Sequence, residues 1–253
     1  MTHPYASRAY AASLSLIGEP FEVPEWETWV LRRQTPDGGT DWCGCYPLTI
    51  FGPDADISGG VSRLKKAGGV SITVVSGPVA ALDEVADVSR RFKQHYLQDN
   101  RQGSPHYSKH HRYAVRQASQ VVETRIIRLG DYVAEWMNLY RTLVERRDVS
   151  YGNVFPESTF RAIADLDGLV TFGAFFENEL VSCHLWMSDG HTIHSLFAAS
   201  NAVGYRLQAS YAIYDAAIRW FDGADSINFG GAAGLTDDPD SGLARFKRGF
   251  SNA

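Results

Sequence analysis

The stretch from Leu169 to Ser200, LVTFGAFFENELVSCHLWMSDGHTIHSLFAAS, limits the fold more than any other part of this chain. Its apolar side chains alternate through three runs, the period of β-strands whose two faces differ. The runs are broken at Glu177-Asn178-Glu179 and at Asp189-Gly190, and Asp-Gly is a strong hairpin signal. The pattern predicts a three-stranded antiparallel meander.

The flanking segments supply helices to cover such a sheet. Asp131 precedes a long helix with Val133, Trp136, Met137, Tyr140, Leu143 and Val144 on one stripe, a spacing that continues onto Arg147. After the meander come a loop, NAVGYRLQ, an amphipathic helix from Ala209 to Phe221 and a strand from Ser226 to Phe229 that ends in GGAAG. Upstream, Lys109 to Ser119 reads as a basic helix and Thr124 to Leu129 as a strand. The fold class is therefore α/β (α+β), a mixed, mainly antiparallel sheet flanked by helices.

The first part of the chain is less regular. Tyr5 to Ile17 and Asp83 to Tyr96 read as helices, and Trp29–Arg33, Tyr46–Phe51 and Val70–Val75 as strands. The polar stretch DNRQGSPHYS, Asp99 to Ser108, marks a boundary, so the expected organisation is 1–104 and 105–253.

Composition excludes several classes. Hydrophobic residues make up 44% and charged residues 21% of 253, which predicts a packed core. The net charge of -5 is not a nucleic-acid footprint, although Lys109, His110, His111, Arg112 and Arg116 form a local basic segment. That segment is either a solvated helix face or a contact for a phosphorylated ligand. The three cysteines suit a reducing compartment, and Cys43 and Cys45, two apart on a strand, bridge poorly. No metal site is expected. The N-terminus lacks the basic start and apolar core of a signal peptide, and no apolar run approaches a membrane span, so a cytoplasmic location is expected.

The closing stretch, GLARFKRGFSN, reads as a last strand with Lys247 between Phe246 and Arg248. Lys247 is either a guard on a basic edge strand or a charge held for catalysis between the anchors Phe246 and Phe250. Arg147, or Arg146 in its stead, and Tyr151 are acceptor-side candidates, because an arginine clamps carboxylate or phosphate in bidentate fashion. Tyr211 and Asp215, four apart on one helix, either hydrogen-bond a substrate amine or satisfy each other. Asp215 is the candidate proton acceptor.

The element order resembles that of the Gcn5-related N-acetyltransferase (GNAT) fold, and residues 105–253 resemble its FemABX-like branch of peptidyl and aminoacyl transferases. The pieces that carry the likeness are KHHRYAVRQA, LVTFGAFFENELVSCHLW, INFGGAAG and GLARFKRGF. The resemblance implies that residues 1–104 are a shortened acyltransferase-like half. It implies a catalytic role for Lys247 in donor handling and transition-state stabilisation, with Phe246 beside it at the substrate. It implies an amide-forming acyltransferase with no permanently bound cofactor, a small-molecule amine as acceptor and aminoacyl-tRNA as co-substrate.

Gly204, Tyr205 and Arg206 occupy the position of the superfamily's phosphate loop, but its usual glycine-rich form is missing here. With Lys109 and Arg112 they are the donor-side candidates, the last two reaching toward a tRNA acceptor end. The alternatives are an N-acyltransferase using acyl-CoA or acyl-carrier protein on an amino acid or amino sugar, and a non-catalytic ligand-binding relative.

Overall fold

The computed structural model describes residues 3–103, 105, 107–147, 154–232 and 237–253. The chain forms two units, Met1–Phe92 with Ser158–Asp167, and Lys93–Glu157 with Gly168–Ala253. Both are built on mainly antiparallel sheets flanked by helices, a mixed α/β fold.

The first unit contains α1 (Arg8–Ser13), β1 (Glu19–Val23), β2 (Thr28–Gln34), β3 (Thr40–Gly44), α2 (Ile57–Lys66), β4 (Gly69–Thr73) and α3 (Ala80–Val85). The sheet order is β1-β2-β3-β4, with only the β3–β4 pair parallel. Trp26, in the turn between β1 and β2, and Trp42 of β3, both buried, donate their indole N–H groups to the Ile57 and Leu64 carbonyls, 3.0 and 3.2 Å away, and so fasten α2 to that turn and to the sheet.

Three expectations fail in this part of the chain. Tyr46–Phe51 is not a strand: β3 ends at Gly44, and Pro47 has no N–H to give to a ladder. The first helix is shorter than Tyr5–Ile17, with a 3-10 turn over Pro4–Ala6 ahead of α1. The helix expected over Asp83–Tyr96 stops at Val85. Its apolar spacing is coincidental, because Phe92 is exposed while Tyr96 is buried in the core of the second unit.

In that second unit β5 (Leu97–Asp99) is followed by α4 (Lys109–Ala118), β6 (Glu123–Ile127) and α5 (Val133–Arg147). The chain then passes through α6 (Glu157–Ala164), which from Ser158 on belongs to the first unit, and returns as β7 (Leu169–Phe176), β8 (Glu179–Ser188) and β9 (Thr192–Ser200), the expected meander, antiparallel throughout. Its first turn places Glu177 and Asn178 at φ 51 and 65, the double left-handed conformation that matches strand twist. The second is closed by the Asp189 carboxylate, which accepts from the His191 and Thr192 amides. Then follow α7 (Ala202–Arg206), α8 (Ala209–Trp220), β10 (Ser226–Asn228) and α9 (Gly242–Arg248).

The sheet order is β5-β10-β9-β8-β7-β6. α5 covers one face, where Trp136 and Tyr140 meet Phe197, and α8 covers the other, where Tyr214 meets His184 and Trp186. β10 pairs in parallel with β9 only over Thr192–His194, whereas β9 runs on to Ser200. Beyond His194 the two strands part, while Phe229 and Gly230 after β10 stay paired with Tyr96 on the other side.

The closing segment is a helix, not the last strand. The Ser241 hydroxyl caps α9 by accepting from the Ala244 amide, and Arg245, Lys247 and Arg248 fall in its last turn, where cations suit the helix dipole. Beyond α9 the chain is tied down. Asn252 and Ala253 exchange backbone hydrogen bonds with Leu97, and the Asn252 side chain bonds the Asp99 backbone.

Candidate active site

Lys247 is buried at 8% exposure, and its ammonium donates to the Gly231 carbonyl at 2.7 Å. Among the described residues no carboxylate pairs with it. Burial, and next the charge of Lys93, lower its pKa to about 8. Lys93 in turn donates to the adjacent carbonyl of Ala232 at 2.6 Å, so two ammonium groups sit on consecutive carbonyls of the glycine-ended segment. Burial lowers the Lys93 pKa as well, partly offset by Asp237.

The two glycines have separate reasons. Gly230 turns the chain at φ 76, and its amide is held by the Asn228 side chain at 2.8 Å. At Gly231 a Cβ would lie 3.1 Å from the Gln94 carbonyl and the Lys93 side chain.

That crowding reflects how Lys93 and His95 arrive. The segment before β5 extends the ladder, with Tyr96 donating to the Gly230 carbonyl and accepting from the Phe229 amide. His95 is half-buried. Burial, then Lys247, then Lys93 lower its pKa, while Asn228 and Asp237 act in the opposite direction. The sequence gives no sign of this placement, because the segment reads there as part of a helix.

On the α8 face of the sheet lies a buried chain of hydrogen bonds. Ser182 donates to the Ala199 carbonyl at 3.3 Å, so its oxygen accepts from Ser200 at 2.7 Å. Ser200 accepts in turn from Ser210 at 3.4 Å, and Ser210 accepts from His184 Nε2–H at 3.2 Å. This direction of donation leaves Nδ1 of His184 as the bare nitrogen. His184 is fully enclosed, and burial, helped by the Lys247 charge, drives its pKa down to about 3. It is neutral throughout the physiological range.

Phe246 and Phe250 anchor α9 in an aromatic cluster with Tyr211, Tyr214 and Phe229. His111 joins this cluster and holds α9 by hydrogen bonds. One ring nitrogen of His111 pairs with the Ser108 hydroxyl and the other donates to the Phe246 carbonyl, both at 2.8 Å. The ring leaves no room at position 249, where a Cβ would come within 2.0 Å of it. The small residue in FKRGF thus answers to His111.

The remaining candidates fall in different places. Asp215 is buried, takes the Tyr107 hydroxyl at 3.0 Å and pairs with Arg219 at 2.5 Å, so it is occupied by partners other than Tyr211. Tyr211 reaches His110 Nε2 at 3.4 Å and packs on Phe246 at a ring separation of 4.8 Å.

Gly204 does not offer the open amide expected of a phosphate loop. Its N–H is taken by the Asn201 side chain at 2.9 Å, and a Cβ there would lie 2.2 Å from the Val181 carbonyl. Tyr205 carries the Arg146 guanidinium over its ring at 3.9 Å, which brings the end of α5 to α7. Arg206, Lys109 and Arg112 are exposed, and Arg112 donates to the Tyr107 carbonyl. The Arg147 side chain and Tyr151 lie outside the described residues.

Cys43, Cys45 and Cys183 are free thiols. Among the described residues no group of three or more His, Cys, Asp or Glu could hold a metal ion, and no helix is long and apolar enough to cross a membrane. A surface groove of about 340 Å³ bounded by Arg125, Phe172, Arg219 and Trp220 contains none of the groups around Lys247.

Residues 107–248, more than half of the chain, match the family model described as an acetyltransferase (GNAT) domain. The chain belongs to the GNAT acetyltransferase family, and it is an acyltransferase of that family. Its overall fold is similar to that of FemX, with a TM-score of 0.66, 13% identity, and coverage of 98% of this chain and 90% of that one. It is also similar to L-PGS from Bacillus licheniformis, with a TM-score of 0.59, 11% identity, and coverage of 99% and 90%. A conserved protein of unknown function from Bacteroides thetaiotaomicron has a TM-score of 0.65 at 13% identity, covering 98% and 88%. No curated protein sequence matches the chain at the same stringency. The fold is thus that of the FemX-like GNAT branch.

Proposed function

We propose that this acyltransferase takes an aminoacyl group from aminoacyl-tRNA and joins it to the amine of a small acceptor, such as a cell-wall precursor or specialised metabolite. The observation that carries this reading is Lys247, a buried ammonium with a single carbonyl partner and no counter-ion among the described residues. An activated acyl donor needs positioning and a charge aimed at the oxygen that becomes negative as the amine attacks. Lys247 supplies that charge from a site where water screens it little.

Two further observations support a donor other than acyl-CoA. The glycine-rich phosphate loop is missing from Asn201–Gln208, and the one glycine there has its amide occupied by Asn201. The exposed Lys109 and Arg112 of α4 suit the phosphates of a tRNA acceptor end. In the same reading Phe246 and Tyr211 line the acceptor side, with Arg147 and Tyr151, while Tyr205 and Arg206 sit on the donor side. Asp215, held between Tyr107 and Arg219, orients α8 rather than moving a proton.

Acyl-CoA or acyl-carrier protein as donor is the second reading, and membership in an acetyltransferase family favours it. An intact-mass screen separates the two. The protein is offered a charged tRNA pool or acyl-CoAs together with a mixture of amines, and the new amide is sought. Product that disappears after ribonuclease treatment supports tRNA; product formed from acyl-CoA alone refutes it.

A further inference from the structure

The turn that receives Lys247 is held carbonyl by carbonyl. The Gly230 carbonyl accepts from the Tyr96 amide at 3.3 Å, that of Gly231 from the Lys247 ammonium at 2.7 Å, and that of Ala232 from the Lys93 ammonium at 2.6 Å. The middle holder is the charge on which the proposed reaction depends. The carbonyls on either side of it are held from one short segment, Lys93 to Tyr96. Within that segment the Gln94 amide donates to the Asp237 carboxylate at 2.8 Å, so the segment is itself tied to the chain ahead of α9.

The stems of the two lysines fit the two glycines closely. A Cβ at Gly231 would come within 3.1 Å of Lys93 Cβ and Cδ, and a Cβ at Gly230 within 3.3 Å of Lys247 Nζ. Ala232 is buried at 5% exposure, so its carbonyl needs a partner. A backbone amide or a neutral side chain would satisfy it without charge. An ammonium stands there instead, one carbonyl away from another ammonium, and like charges so placed repel. Packing alone does not ask for that choice.

We infer that Lys93 is a positioning residue of the acyl transfer: by fixing the Ala232 carbonyl it steadies the Gly231 carbonyl and so aims the Lys247 ammonium. This rests on the role given to Lys247 in the reading above. The two carbonyls belong to successive rigid peptide planes that share the Ala232 Cα, and the Ala232 methyl is packed in the core. With Lys93 holding the second plane, the first has little freedom to rotate. Gly231 has no side chain through which packing could hold it, so the aim of Lys247 depends on that restraint. A displacement of about 1 Å at a group that stabilises the transition state costs on the order of 100-fold in rate.

The test is a double-mutant cycle in rate, with a charged tRNA pool as donor, glycinamide as the probe amine, and the folding of each variant verified by its melt. Lys93→Met is expected to lower kcat about 10- to 100-fold with both KM values unchanged. Lys93→Arg, which keeps a charged donor for the Ala232 carbonyl, is expected to recover most of the loss. In the Lys247→Met background the same Lys93→Met change is expected to cost less than about twofold, because no ammonium is left to aim. Losses that multiply in the double variant overturn the inference. So does a folded Lys93→Met enzyme with wild-type kcat, whether or not its KM has risen.

Should the wild-type protein form no amide from any donor, the acyl-transfer reading fails instead, and NMR of the lysine side chains judges the arrangement by itself. The Lys247 Cε and Hε shifts are expected to move toward those of mobile, exposed lysines in Lys93→Met and to stay near wild type in Lys93→Arg. Identical Lys247 signals in wild type and Lys93→Met overturn the inference.

Discussion

The Lys247 ammonium reaches the Gly231 carbonyl at 2.7 Å from a helix that runs over Gly242–Arg248, and so binds the end of the chain to the glycine turn after β10. The bond satisfies one of three N–H donors, and among the described residues no carboxylate pairs with the charge.

A buried, unpaired lysine has a stability signature. Its pKa is about 8 in the folded chain against 10.5 for a free lysine. Between those values the unfolded chain binds more protons, so stability rises with pH across that window. Below about pH 8 the full burden of burying the charge is present, about 3 kcal/mol. Lys247→Met is therefore expected to melt several degrees above wild type at pH 7, and the gap is expected to shrink as pH approaches 10.5. Calorimetric melts at several pH values check this; a variant less stable at pH 7 contradicts it.

Gly249→Ala is expected to lose about 1–3 kcal/mol, because a Cβ there meets the His111 ring at 2.0 Å. Urea denaturation measures it. Combining the change with His111→Ala should restore part of the loss, since the obstructing ring is then gone. Equal losses in both backgrounds would count against the contact.

Gly204→Ala separates packing from phosphate binding. The nearest atom is the Val181 carbonyl oxygen, a backbone group that cannot swing aside. The expected result is a lower melting temperature, by about 1–3 kcal/mol in stability, with donor KM unchanged in the folded fraction. A selective rise in donor KM at unchanged stability would return Gly204 to the donor site.

Lys109→Ala with Arg112→Ala tests the α4 face. Both side chains are exposed, so stability should change by no more than about 0.5 kcal/mol. If the face meets tRNA, kcat/KM for charged tRNA falls and its dependence on salt becomes shallower, since fewer phosphate contacts release fewer counterions. Unchanged salt dependence would leave the two residues as a solvated face.

The meander was legible in the sequence because alternation and turn residues are local properties, and Glu177-Asn178 and Asp189-Gly190 sit at the turns. α5 and α8 were legible for the same reason, through apolar stripes at helical spacing. The closing segment misled: Arg245-Phe246-Lys247 alternates like an edge strand, yet Ser241 caps a helix and packing decides the rest. Lys93 was hidden altogether. Its place on the carbonyl next to the one that Lys247 holds depends on backbone pairing between Tyr96 and Phe229–Gly230, more than 130 residues apart, and no local pattern encodes that. Gly249 was visible as part of FKRGF, but its reason, the His111 ring, belongs to a distant helix.

The most direct measurement is amide formation from a charged tRNA pool by wild-type protein and by Lys247→Met, with folding of both verified by their melts. The wild-type protein should form product that ribonuclease pretreatment abolishes, and Lys247→Met should form it at least about 100-fold more slowly. A folded Lys247→Met protein that transfers the aminoacyl group at the wild-type rate would contradict the central role given to Lys247.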